Sequence, residues 1–168
     1  MLTLKCITWT SKKRRQAQKR LAVIVPRNQN KHKINLEHKM FTVEQIELAH
    51  SKIKSGAEFP KYIQEIKELG VTAFETWVRD SHTEYFGKDS FHTKSKPKYE
   101  EIAIAHRSNK NKFEDYLKIH QKGETDYFTF CKHCAETGIE KWTVNLDKMA
   151  CTYYDQAKNV ILVEMVTE

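Results

Sequence analysis

Glycine and proline are scarce in this chain, five and three in 168 residues, and that scarcity excludes several classes of protein. So few cannot build a collagen-like or low-complexity segment, and no glycine-rich loop is available to cradle a phosphate. Each glycine is accounted for as a turn or a helix end. The nucleophile elbow Gly-x-Ser-x-Gly and the zinc motif His-Glu-x-x-His are also missing. The longest apolar run, Leu21-Ala22-Val23-Ile24-Val25, is far short of the roughly 20 residues of a membrane span. It is also shorter than the roughly 7 to 15 of a secretory signal core, so no membrane partner is expected.

Acidic residues are nearly absent from the first 39 positions, where eleven Lys or Arg stand against Glu37 alone. From residue 40 onward eighteen bases meet twenty-one acids, a net of −3. The +7 of the whole chain therefore resides in residues 1–39. A phosphate-binding face would leave the folded body basic, so nucleic acid is expected as a partner only through that basic tail. The tail itself is expected to be disordered, or a leader upstream of a start at Met40. Local chemistry favours the later start: Thr42 and Gln45 have capping-box spacing, and Phe41 with Ile46 are placed to form a hydrophobic staple.

What is present is a composition typical of a globular domain, 39% hydrophobic and 30% charged, in a chain long enough to bury roughly two thirds of its unfolded surface. Val43, Ile46, Ala49 and Ile53 mark a first helix stopping at Ser55-Gly56, and Phe59, Ile63, Ile66 and Leu69 mark a second, ended by Gly70 at a left-handed position. Residues 71–80 are rich in β-branched and aromatic side chains and read as a strand. His82 to Phe86 reads as another, with short strands near 91–93 and 102–105. A helix from about Asn109 to Gly123, another from about Thr125 to Gly138, and strands over 139–146, 150–154 and 160–165 complete the chain.

Helix, helix, strands thus occurs twice. Shifting the chain on itself by 68 residues brings Gly70 onto Gly138, Phe74 onto Trp142, Val78 onto Leu146 and Tyr85 onto Tyr153 without a gap. The expected fold is α+β, with two similar halves (about 41–106 and 107–168) sharing an antiparallel sheet that has its helices packed on one face.

The one stretch that invites chemistry is Cys131-Lys132-His133-Cys134. The same shift places Cys131 on Ile63 and Cys134 on Ile66, the buried stripe of a helix, which favours packing. A metal site would draw on Cys131, His133, Cys134 and Cys151, but no second closely spaced ligand pair exists. A thioredoxin-like pair would open a helix that follows a strand, whereas this pair lies inside a helix that follows a helix. No cofactor is expected.

Strand alternation separates the two faces of the sheet. Phe74, Thr76 and Val78, with Trp142, Val144 and Leu146, form an apolar face under the helices. Glu75, Trp77 and Arg79 in the first half, and Thr143, Asn145 and Asp147 in the second, form the other, which His82, Glu84 and Tyr85 would extend. An aromatic ring among fixed polar groups suits a small organic molecule or a peptide. An acid–base pair of His82 and Glu75 is geometrically possible but rests on no motif.

The segments His120-Gln121-Lys122-Gly123-Glu124-Thr125-Asp126-Tyr127, Gly138-Ile139-Glu140-Lys141-Trp142 and Cys151-Thr152-Tyr153-Tyr154-Asp155, with Glu164 after them, resemble the YbcV-like family of small proteins of bacterial chromosomes and prophages. The resemblance spans about residues 40–168. It implies one compact cytoplasmic domain and makes Cys151 part of a family pattern, with no activity to carry over. The leading expectation is a non-catalytic module binding a small molecule or protein, compatible with a homodimer. The alternatives are a metal- or thiol-dependent enzyme centred on Cys131, Cys134 and Cys151, and nucleic-acid binding through the tail.

Overall fold

The structure, a computed structural model, describes residues 40–52 and 58–166. The basic tail over 1–39 and the helix stop at Ser55-Gly56 lie outside the described residues. Ten elements follow in chain order: α1 (Val43–His50), α2 (Phe59–Glu68), β1 (Val71–Trp77), β2 (Thr83–Gly87), β3 (His92–Lys94), α3 (Lys110–Gln121), α4 (Tyr127–Glu136), β4 (Ile139–Asn145), β5 (Ala150–Asp155) and β6 (Val160–Met165). The fold is α+β. The strands form one antiparallel sheet in the order β3-β2-β1-β4-β5-β6.

That order is the signature of two helix-helix-strands units joined back to back, each contributing its first strand to the centre. Glu75 pairs with Thr143 in the central ladder, and these two are each other's counterparts under the 68-residue shift. The halves are therefore related by a pseudo-two-fold axis through this pair.

Local chemistry sets each helix. Thr42 and Gln45 form the expected reciprocal capping box on α1, with Phe41 and Ile46 both buried. Asn109 and Asp126 cap α3 and α4 through their side-chain oxygens. The second helix of each unit buries matching stripes: Phe59, Tyr62, Ile63 and Ile66 in α2, and Phe130, Cys131, Cys134 and Ala135 in α4. Each is followed by a glycine at positive φ, Gly70 at +105° and Gly138 at +76°, which lets the chain turn directly into β1 or β4. Phe74, Thr76, Val78, Trp142, Val144 and Leu146 are buried on the helix side of the sheet, as alternation requires.

Three local expectations are corrected. The first strand ends at Trp77 and not at residue 80, because the Asp80 carboxylate accepts the His82 amide (3.0 Å) and Ser81 takes φ +59°, turning the chain. Residues 102–105 form no strand. They run past the end of the sheet, where Ile102 donates to the Arg79 carbonyl and Ala105 to that of Ala135 (2.8 and 2.9 Å), so no single strand is available for a ladder. Tyr85 faces the core against Phe74, with ring centroids 5.9 Å apart, because it lies one residue out of phase with Glu84.

Candidate functional site

The open face of the sheet is organised around Glu75. Its carboxylate accepts hydrogen bonds from Lys141 Nζ (2.7 Å) and from Thr143 Oγ1 (3.2 Å). The Lys141 ammonium also lies 4.8 Å from the centre of the Trp77 ring and 5.7 Å from that of Tyr154. A cation is thus held between two aromatic rings and a carboxylate, an arrangement that gains from ring quadrupole and ion pairing together. Lys141 shares its face with Thr143 and Asn145 by strand alternation. It went unnoticed because a lysine on a sheet surface gives no signal until its neighbours are known.

At the end of β1 this face deepens into an open pocket of about 740 Å³ lined by Trp77, Arg79, His82, Glu84, residues 101–104, His106, Glu140 and Gln156. One wall is the irregular connection between the two halves, and Gln156 pins it by donating to the Ile104 and Ala105 carbonyls, both at 3.1 Å. The opposite wall is Trp77, whose ring stacks on His82 with 11° between the planes.

His82 is fixed twice by one carboxylate: its amide and its Nδ1 both contact Asp80 Oδ1, at 3.0 and 2.6 Å. Burial raises the Asp80 carboxyl, but the His82 amide and ring outweigh it and hold the group below its usual value. Asp80 is therefore ionised and Nδ1 carries the donated proton, leaving Nε2 3.8 Å from Glu84 Oε1. Arg79 pairs with Glu101, whose carboxylate lies 3.3 Å from its Nε, both side chains being largely exposed.

The expected site residues divide accordingly. Trp77, Arg79 and His82 meet in the pocket, and Glu75 and Thr143 sit beside it in the Lys141 cluster. Asn145 and Asp147 are at the other end of β4. Asn145 Oδ1 accepts the Lys148 amide (2.9 Å) to make the turn into β5, and Asp147, beyond the strand's end, pairs with Lys67 at 2.9 Å. The His82–Glu75 acid–base pair does not form, since each side chain is engaged by other partners. Asp80, Glu101 and Gln156 escaped sequence reasoning because they come from turns and from a connection that no periodicity describes, and Glu140 because the register shifts between Ile139 and Lys141 at the start of β4, which breaks the alternation there.

Cys131, Cys134 and Cys151 are not joined in a disulfide, and each is 2% exposed or less. Burial pushes the Cys131 thiol up to about 11, against the lowering effect of the Tyr99 and Tyr127 hydroxyls, and burial also drives Cys151 upward. His133 faces away from the thiol stripe, with its ring stacked 3.8 Å from that of Tyr116. Among the described residues no three His, Cys, Asp or Glu side chains are grouped to hold a metal ion. In a Cys6→Ser variant, a thiol reagent at neutral pH should leave the native protein unmodified and label three cysteines after denaturation. Rapid labelling of any of the three in the native state would restore the thiol-enzyme reading.

Residues 47–165 match the family model described as Protein of unknown function (DUF1398). The chain belongs to this family. The DUF1398 match includes every strand of the sheet and all the pocket residues, so the pocket lies within the span that the family model matches. Among curated proteins, none matches the chain.

Proposed function

We propose that this DUF1398 protein is a non-catalytic binding module that holds a small organic molecule in the Trp77–His82 pocket. The observation that carries the reading is the wall structure: an indole face and the apolar stretch Ile102-Ala103-Ile104 flank fixed polar groups in a recess of about 740 Å³. That volume is within the range of small-ligand sites. The polar groups are held by the protein itself, His82 by Asp80 and the far wall by Gln156, so little ordering is left for a ligand to impose.

The overlap of residues 47–165 with the stretch that resembles the YbcV-like group supports a relationship to those bacterial and prophage proteins. Three cysteines among the described residues that form no disulfide support a reducing, cytoplasmic setting. Among the described residues no helix is long and apolar enough to cross a membrane.

Native mass spectrometry of the full chain purified from cells, compared with its denatured mass, tests the proposal. The expected result is an additional small organic mass in the native protein that is lost in Trp77→Leu. A native mass equal to the denatured one, together with no response to any compound in a thermal-shift screen, would overturn it. A mass excess equal to zinc that disappears in Cys131→Ser would overturn it in favour of the metal-dependent alternative.

A further inference from the structure

The charge balance of the pocket narrows its ligand. Three glutamates line it, Glu84, Glu101 and Glu140, against one arginine and two histidines, His82 and His106. Arg79 is already engaged by Glu101, and His82 is engaged by the carboxylate of Asp80. Among the described residues no cation pairs with Glu140, and the ion pair of Glu84 is with the His82 ring, at 3.8 Å, while Lys94 stands opposite it in the β2–β3 ladder without bridging to it. Among the described residues neither of these two carboxylates on the recess forms an ion pair with a lysine or arginine. An anionic ligand would meet them at close range in a partly desolvated site, where like charges repel most strongly.

The aromatic wall points the same way. Trp77 and Tyr154 already hold an ammonium group, that of Lys141, beside the Glu75 carboxylate. The protein's own side chain thus demonstrates that the electrostatics around Trp77 favour a cation, since ring faces attract positive charge and a neighbouring carboxylate reinforces it. Lys141 does not cancel the pocket's field, because Glu75 pairs with it at 2.7 Å with both side chains about one fifth exposed.

We infer that the ligand of this pocket is an organic cation, an amine with an apolar body, whose ammonium group is received by Glu84 and Glu140 while its body lies along Trp77 and Ile102-Ala103-Ile104. The inference rests on the proposed binding function and specifies its ligand class. The apolar segment and the carboxylates lie on the walls of one recess, so a molecule of modest length contacts both.

Calorimetric titration of the full chain with three probes of nearly equal size, phenethylammonium, 2-phenylethanol and 3-phenylpropionate, tests the charge requirement. The quantity compared is the binding lost in Trp77→Leu, which separates the pocket from any association with the basic residues 1–39. The ammonium probe should bind at least tenfold more tightly than the alcohol, the carboxylate should not bind at the pocket, and affinity should fall as salt is added. Glu84→Gln, which preserves shape and leaves Trp77 in place, should weaken the ammonium probe about tenfold and leave the alcohol unchanged.

If the alcohol or the carboxylate binds the pocket as tightly as the ammonium, the cation inference fails while the binding function stands. If no probe binds and native mass spectrometry finds no bound mass, both fail together. Should Trp77→Leu not fold, the Glu84→Gln comparison alone decides the charge requirement.

Discussion

Gly138→Ala should destabilise the protein far more than Gly70→Ala, although the two glycines occupy equivalent positions in the two halves. Both have positive φ, +105° at Gly70 and +76° at Gly138, so an alanine at either costs about 1–2 kcal/mol for the left-handed backbone. The surroundings then separate them. A Cβ at Gly70 would meet only the Phe41 ring edge at 3.9 Å, an ordinary contact. A Cβ at Gly138 would lie 2.7 Å from the Arg107 carbonyl oxygen and 2.8 Å from Ser108 Cα. Those are backbone atoms of the connection that leads into α3, and they are tied down by the Asn109 amide bond to the Thr137 carbonyl (3.0 Å).

Relieving that overlap should add about 1–3 kcal/mol. Chemical denaturation should therefore rank the variants wild type, Gly70→Ala, Gly138→Ala in falling stability, with a lower melting temperature for Gly138→Ala by several degrees per lost kcal/mol. Equal losses at the two positions would show that the connection yields freely, and would remove the argument that it forms a rigid pocket wall.

Acidification should cost stability well before the carboxylates protonate. His50 and His120 are held neutral, each lowered from 6.5 to about 4, chiefly by burial, which Lys98 reinforces at His50 and which at His120 outweighs the opposing Thr125 carbonyl and Asp126 carboxylate. They occupy similar places, each on the first helix of its half with its ring against an aromatic of the second: His50 against Tyr62 at 5.3 Å and His120 against Phe130 at 4.3 Å. His120 Nδ1 contacts Thr125 Oγ1 at 2.9 Å, while Nε2 is buried without a partner, so a second proton there would have no acceptor.

The sign follows from proton counts. Between about pH 6.5 and 4 the unfolded chain binds protons at these histidines and the folded chain does not, so stability is full above 6.5 and falls as pH drops towards 4. The loss should be on the order of 1–3 kcal/mol for each histidine. Glu164 acts in the opposite sense. Burial raises its carboxyl despite bonds from Gln121 and Tyr153, so its folded form takes up a proton first and regains some stability as pH falls. Denaturation midpoints at pH 7, 5.5 and 4.5 should decline steadily in the wild type. His120→Gln, which cannot charge, should flatten the decline. An unchanged slope in that variant would mean that His120 is protonated in the folded state.

The basis of the α+β duplication lies in features that repeat locally: apolar stripes at helical spacing, a glycine after the second helix of each half, and alternating strands. These depend on each residue's neighbours along the chain, which is why the helix-side faces of β1 and β4 were legible to the residue. The same logic made Cys131 and Cys134 readable as core, because the counterpart stripe carries Ile63 and Ile66. It failed where a side chain oxygen takes over a backbone amide. Asp80 ends β1 and Asn145 ends β4 in this way, which removes Arg79 and Asp147 from the sheet face to which alternation assigned them.

The α+β class, the duplication, the buried cysteines and the concentration of basic residues before residue 40 can all be read without coordinates, because each follows from short-range pattern or from composition. The place where a ligand could sit emerges only once the chain is folded. The pocket exists because residues 101–106, which have no periodicity, pass the end of the sheet opposite Trp77, and its charge is set by which carboxylates acquire partners there. Both are outcomes of long-range packing, with Arg79 reaching Glu101, Lys141 reaching Glu75 and Gln156 reaching Ile104. Contacts between residues so distant along the chain leave no mark in local pattern.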